Sequence, residues 1–302
     1  MITDEELTEL RTGNLKTMVS LDKRGLFIGG RESLLEYAER LQRLRENIAA
    51  MESSLADTGI YSVDDLTLKA GSRIDKTRFE EAQAVTRPHY AFSINWVPGF
   101  YINPRMGWLF GGCAFYFFPD FFAVFILRRT FAKRKRWLIY NRTELLAHEL
   151  CHVARIALKS QIYEEYFAYQ ISNSSFRRAV GGTFRGAGDS LLLLGSTFLL
   201  LGAQLSHFLL WPALPIWPFW GLVILVVAFI FGRGKLTQQR IMRARRNLEQ
   251  AGYEATDSIL FRATDEEIDQ LASCTAADTV KPLLKEWQKQ FPRWQVIIER
   301  FG

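Results

Sequence analysis

Two histidines four residues apart, with a glutamate directly after the first, form the most informative pattern in the chain. The segment His148-Glu149-Leu150-Cys151-His152 reads HExxH. On an α-helix, positions i and i+4 lie on one face, so both imidazoles can reach one metal ion, and the glutamate can address water at that ion. With only four histidines in the chain, a chance match is expected in fewer than about one such sequence in a hundred. The pattern predicts a Zn²⁺ site with a general base.

The residues around the motif predict the helix that carries it. Asn141 and Glu144 have capping-box spacing, and an amphipathic pattern continues to about residue 158. A catalytic zinc needs a third protein ligand and an open position for water. Neither remaining histidine suits this role, because His207 lies in an apolar segment and His89 precedes the motif beside a proline. The third ligand is therefore expected among the downstream carboxylates.

Two adjacent carboxylates, Glu164 and Glu165, lie on a second predicted helix. With them, residues 141–169 resemble the gluzincins, zincin metallopeptidases with an HExxH helix and a ligand glutamate on a following helix. In that family a small residue typically stands three positions after the ligand, as Ala168 does after Glu165. The resemblance implies a zinc peptidase with His148, His152 and Glu165 as ligands, and Glu164 as the alternative. It departs at Tyr169, where several gluzincins have an aspartate that orients a histidine.

In such a site Glu149 would act as the general base and return the proton to the leaving amine. A further donor would stabilise the oxyanion, and Tyr166, Tyr169 and His89 are candidates. Zincins also bind peptide as an added strand along a sheet edge before the active-site helix. By that resemblance, residues 121–128 are the expected edge strand, with an ordinary interior strand as the alternative.

A charge-free segment, residues 190–232, predicts the membrane contact of the chain. One span needs about 20 apolar residues, so we expect two transmembrane helices, at 190–210 and about 214–232, joined near Pro212 and Pro215. Three tryptophans at this turn fit a membrane interface. The alternative is a hairpin buried in a soluble core. The turn of this segment carries no basic residue. The basic residues that flank the segment are Arg177, Arg178, Arg185, Arg233, Lys235, Arg240, Arg243, Arg245 and Arg246.

We expect an integral protein of a bacterial inner membrane. By the positive-inside rule, this charge distribution predicts that its catalytic domain and carboxyl terminus lie in the cytoplasm. Only some twenty residues separate Glu165 from the first span, so we expect the zinc within several tens of Å of the bilayer. The basic residues between 128 and 136 are either a solvated loop or a contact for anionic headgroups. Peptide or protein substrate and lipid are the expected partners.

The remaining elements predict an α+β fold. Residues 32–55 show a heptad pattern, which indicates helix packing within the chain or self-association. Strands are expected within 90–102, at 112–118 and at 121–128, the last two joined at Pro119-Asp120. Three further helices are expected. The first covers 236–250 and lies against the membrane surface, the second begins after a capping box at Thr264, and the third covers about 280–289. The predicted regions are a helical one (1–88), a zincin-like catalytic domain (89–188), the hairpin (189–232) and a helical carboxyl-terminal region (233–302).

Composition argues against several other classes of protein. The hydrophobic share of 48% and net charge of +6 accompany no recognisable nucleic-acid-binding module. Three cysteines without a CxxC argue against a disulfide scaffold, and Cys151 is expected to be a buried, inert thiol rather than a redox switch. Two other functions stay open: a zinc hydrolase of another amide or ester, and a membrane-tethered interaction protein with a vestigial or structural metal site.

Overall fold

The structure is a computed structural model that describes residues 2–63, 66–102, 110–117, 122–275 and 277–302. It is mostly helical with small sheets. The helices are α1 (Asp4–Arg11), α2 (Leu15–Lys23), α3 (Leu34–Thr58), α4 (Lys76–Tyr90), α5 (Thr130–Lys133), α6 (Arg142–Arg155), α7 (Glu164–Gln170), α8 (Ser175–Val180), α9 (Ala187–Leu209), α10 (Trp217–Gln250), α11 (Thr256–Arg262), α12 (Asp265–Ser273), α13 (Ala277–Gln290) and α14 (Pro292–Phe301). The strands are β1 (Ile60–Val63), β2 (Leu66–Lys69), β3 (Gly99–Ile102), β4 (Gly112–Phe117), β5 (Phe122–Arg128), β6 (Arg136–Trp137) and β7 (Tyr140–Asn141).

The heptad pattern forms α3, which packs inside the chain. Ser33 begins the helix with a capping box to Glu36, and Gly59 ends it in the left-handed region. The heptad residues Tyr37, Leu41, Leu44, Ile48, Met51 and Leu55 are buried. They pack with α1, β1 and β5. The apolar seam that could have supported self-association is therefore covered within the chain.

A three-stranded sheet precedes the motif helix, with strand order β3-β5-β4. β3 pairs with β5 in parallel, and β4 pairs with β5 antiparallel. The two strands expected at 112–118 and 121–128 are thus present, and their junction at Pro119-Asp120 lies outside the described residues. The assignment of 121–128 as the edge strand is wrong. β5 is central and almost fully buried, because both of its backbone edges are paired, and β4 lies beyond it.

The charge-free segment forms most of α9 and the first half of α10, which pack against each other as a helical hairpin. Both helices are long and apolar enough to span a membrane. Their large apolar side chains are mostly exposed, as Phe198 (66%) and Ile224 (64%) illustrate. A hairpin buried in a soluble core would hide these groups. The second helix starts at Trp217, three residues later than expected, and the tryptophans at the turn are exposed.

The separate surface helix expected at 236–250 is wrong, because α10 continues without a break from Trp217 to Gln250. Its second half buries Ile241, Ala244 and Leu248 in the main core and packs mainly on α12. This core also receives α4, α6, α7, α11, α13 and α14. The capping box at Thr264 begins α12 as expected, whereas the β1–β2 hairpin and α14 were not predicted.

Candidate metal centre

The motif lies on α6, whose sequence gives the helix one core face and one open face. Asn141 caps it by accepting hydrogen bonds from the backbone N–H groups of Thr143 and Glu144. Leu146, Ala147, Leu150, Cys151, Val153 and Ala154 are buried in the core. His148, Glu149 and His152 occupy the remaining face and are only partly exposed.

The side chains of His148, His152 and Glu165 converge, with one potential ligand atom from each within 4.8 Å of the others. The Nε2 atoms of the two histidines are 3.1 Å apart. Carboxylate oxygens of Glu165 lie 3.7 Å from Nε2 of His148 and 3.6 Å from Nε2 of His152. Ligands about 2.0–2.1 Å from a tetrahedral zinc lie about 3.3–3.4 Å apart. The trio therefore fits one metal ion with little adjustment, and its His/His/Glu donor set suits zinc.

Glu164 points to the other nitrogen of His152 rather than into the trio. Its Oε1 lies 3.1 Å from Nδ1 of His152, and its Oε2 accepts from Nε of Arg155 at 3.2 Å. Arg155 is fully buried, donates to the carbonyl of Phe261, and stacks over the ring of Phe167 at 4.5 Å. A carboxylate at this position fixes the tautomer and the ring orientation of a metal-binding imidazole. Glu164 therefore holds the ring of His152 from the nitrogen that faces away from the trio.

His148 has an uncharged support. Its ring N–H donates a hydrogen bond to the backbone carbonyl of Ala168, which lies on α7 one turn after Glu165. The ring of Tyr169 meets it edge-on, with centroids 4.6 Å apart. Ala168 is itself buried, and its small side chain lets α7 approach α6 closely.

These environments shift the pKa values of the two imidazoles in opposite directions. Burial, and then the nearby His152, lower the pKa of His148 to about 3. Burial acts the same way on His152, but the hydrogen bond to Glu164 and the charges of three carboxylates outweigh it and raise the pKa to about 9. Burial also raises the pKa values of Glu149 and Glu165, an effect that His152 partly offsets. A site this rich in carboxylates favours a bound cation.

Glu149 lies between the trio and the edge strand. Its Oε2 accepts a hydrogen bond of 3.0 Å from the backbone N–H of Ala114 on β4. That N–H points away from β5, as every second N–H of an antiparallel edge strand does. Tyr116, two residues on, has its hydroxyl buried without a hydrogen-bond partner. Burial raises the pKa of this phenol, with a further contribution from Glu149 and Glu164.

The three candidate oxyanion donors separate clearly. Tyr169 borders the trio. The phenol of Tyr166 is buried, with Arg245 and Asp257 as its charged neighbours, so it faces α10 and α11. His89 is exposed on α4, where its ring lies beside Tyr90.

Sequence reasoning missed two residues of the centre. Arg155 could have been found from its position three residues after His152 on the same helix, the spacing of neighbours on one helical face. Tyr116 had no comparable signal, because its place depends on the pairing of β4 with β5. Cys151 is buried as expected, and burial raises the pKa of its thiol.

A cleft of about 560 Å³ opens beside the trio. The cleft is lined by His152, Glu164 and Glu165, by residues 160–162, and by residues that lead into and begin α9: Arg185, Gly186, Gly188 and Asp189. No family model, no curated protein and no solved structure matches this chain.

Proposed function

We propose that the protein is a membrane-anchored zinc metallopeptidase. The observation that carries this proposal is the convergence of His148, His152 and Glu165 to the spacing of a single zinc ion, with Glu149 beside them. A zinc ion held there would polarise a scissile carbonyl and lower the pKa of water. The residues of the chain itself account for the remaining steps.

Glu149 is the proposed general base. It takes a proton from the attacking water and passes it to the leaving amine. Its raised pKa brings this carboxylate closer to neutral pH, where a group that must both accept and donate a proton works best. The hydrogen bond from Ala114 holds one carboxylate oxygen in place.

The edge strand β4 is the proposed binding strand. The outward N–H of Ala114 is already taken by Glu149, so an extended peptide laid along β4 would pair with its other outward backbone groups and place its scissile carbonyl near that carboxylate. The unpartnered hydroxyl of Tyr116 lies on the same strand and is the proposed donor to a developing oxyanion. Tyr169, which borders the trio, is the alternative donor.

The membrane is the proposed surrounding of α9 and the first half of α10. Their exposed apolar surface would be costly in water. At the boundary, Arg233 and Asp189 form an ion pair that joins the two helices. Basic residues lie outside the hairpin, so both termini are expected in the cytoplasm. Reporter fusions after residues 20, 213 and 302 test this: a translocated signal at either terminus contradicts the two-span arrangement.

The test of the enzyme is zinc content beside peptide hydrolysis. Purified protein should hold about one zinc per chain. His148→Ala, His152→Ala and Glu165→Ala should each lose most of it, whereas Glu149→Gln should keep zinc and lose hydrolysis. Zinc retained without any hydrolysis by the unmodified chain would instead favour the interaction protein with a structural metal site.

A further inference from the structure

The distance between the metal centre and the proposed membrane is set by α10, which belongs to both regions. Its first half is exposed and apolar, and its second half is packed in the core. Gly234 approaches the turn at Gly181–Thr183 so closely that an added Cβ would lie 3.2 Å from Thr183. A helix that is continuous and packed in this way leaves the catalytic region no hinge at the membrane boundary.

Contacts along α10 give the distance. Arg185, in the cleft wall, donates to the hydroxyl of Thr237 at 2.7 Å. Thr237 lies five residues after Gly232, the last residue of the charge-free segment, or about 8 Å along a helix. Tyr163, directly before Glu164, shares Asp269 with Arg240, and Arg240 lies about 12 Å from Gly232 by the same rise of 1.5 Å per residue.

The first span, α9, also places the cleft close to the start of the charge-free segment. Asp189 lines the cleft, and the charge-free segment begins at the next residue. One wall of the metal cleft is therefore the last polar turn before the proposed bilayer. Asp189 is fixed there, because it accepts from the backbone N–H of Arg185 and pairs with Arg233.

From these two measures we infer the substrate class: polypeptides anchored in the same membrane, cut within about ten residues of the point where they leave it on the cytoplasmic side. An extended chain advances about 3.3–3.6 Å per residue, so three or four residues cover the 8–12 Å from the boundary to the cleft. The remaining residues allow the chain to turn into the cleft and to fill it on both sides of the scissile bond. This inference rests on the proposed peptidase and on the membrane hairpin.

The test maps where cuts fall along a membrane-anchored linker. A library of 40-residue linkers of randomised sequence, each attached to one transmembrane segment, is placed in vesicles with the full-length protein, and products are mapped by mass. Because the sequences are randomised, cut positions report distance from the membrane rather than side-chain preference. The same library without the transmembrane segment is the soluble control, and Glu149→Gln protein sets the background.

We expect cuts in the anchored library to be at least fivefold more frequent in the ten membrane-proximal residues than in the distal twenty, with no such gradient in the soluble library. An even distribution in both libraries, or cutting of the soluble library alone, overturns the substrate class and leaves the peptidase standing. Background cutting of both libraries removes the peptidase, and this inference falls with it.

Discussion

The two histidines of the candidate metal centre are held in place by different means. On one flank, which we call the charged flank, His152 is oriented by Glu164, and Glu164 is held by the buried Arg155. On the other, the neutral flank, His148 is oriented by the backbone carbonyl of Ala168 and contacted by the ring of Tyr169. The difference shows in their pKa values, about 9 for His152 and about 3 for His148.

This difference determines which substitutions each flank should tolerate. A side-chain relay depends on every member, since removing one leaves a buried charge without its partner. A backbone carbonyl is not removed by any substitution, so the neutral flank depends instead on how closely α7 is packed. The variants below separate these two kinds of dependence.

Arg155→Met should have the largest effect. Arg155 is fully buried, and Glu164 retains only 20% exposure, so the substitution leaves a largely buried carboxylate with only His152 beside it and should lower the unfolding free energy by about 3 kcal/mol. Arg177→Met is the control, because Arg177 retains 27% exposure against none for Arg155, and its partner Glu144 also accepts from Ser172. Loss of this 3.4 Å ion pair, whose arginine water can reach, should cost about 1 kcal/mol or less. Urea unfolding in detergent measures both. Equal losses would contradict the distinction between the flanks.

Tyr116→Phe comes next, measured as turnover. Its hydroxyl has no partner to lose, so the unfolding free energy should stay constant or rise slightly. If the hydroxyl meets the oxyanion, turnover should fall about 10²–10³-fold with zinc content unchanged. Tyr169→Phe, on the neutral flank, should retain turnover within about threefold of the unmodified protein, a range well below the loss of such a donor. The reverse result would assign the oxyanion to Tyr169.

The candidate site was predictable where one helix encodes it. The HExxH spacing places His148 and His152 on one face, and Glu165 follows on the next helix; the structure brings all three together. The sequence could not separate the roles of Glu164 and Glu165, because adjacent helical residues differ by about 100° in direction and tertiary packing decides which one faces α6. Zinc and hydrolysis stay predictions.

The fold was predictable where local patterns are strong. The heptads of α3, the charge-free helices and the cap at Thr264 depend on residues close in sequence, and all three are present. The edge strand was misassigned because strand order depends on pairing between segments that are distant in sequence. β3 is separated from β5 by β4 along the chain, yet it pairs with the edge of β5 that β4 leaves open. The continuity of α10 was missed because the sequence changes from charge-free to basic at Arg233, which suggested a boundary between two helices. The backbone of α10 stays helical across that point.

Glu164→Gln sharpens the comparison through metal affinity. The amide keeps the size of the side chain but loses the charge that orients His152, and loss of such a partner typically lowers metal affinity about 10–100-fold. Glu165→Gln, at the adjacent position, removes the charge of a proposed direct ligand and should lower metal affinity further. Competition with a chelator at fixed pH measures both. A greater loss in Glu164→Gln than in Glu165→Gln would exchange the roles of the two carboxylates.

Gly182→Ala tests the packing of the neutral flank and should have the smallest effect. An added Cβ at Gly182 would lie 2.9 Å from Cα of Tyr166, a backbone atom of α7 that cannot rotate away. The methyl group should push back the helix that carries the Ala168 carbonyl, at a cost of about 1–2 kcal/mol in unfolding free energy, since overpacking by a single methyl is mild. Gly186→Ala, where an added Cβ meets nothing within 4 Å, is the control in the same linker. If both alanines leave unfolding free energy and zinc affinity unchanged, the position of His148 does not depend on this close approach. A loss confined to Gly182→Ala would show that packing does for His148 what a charge does for His152.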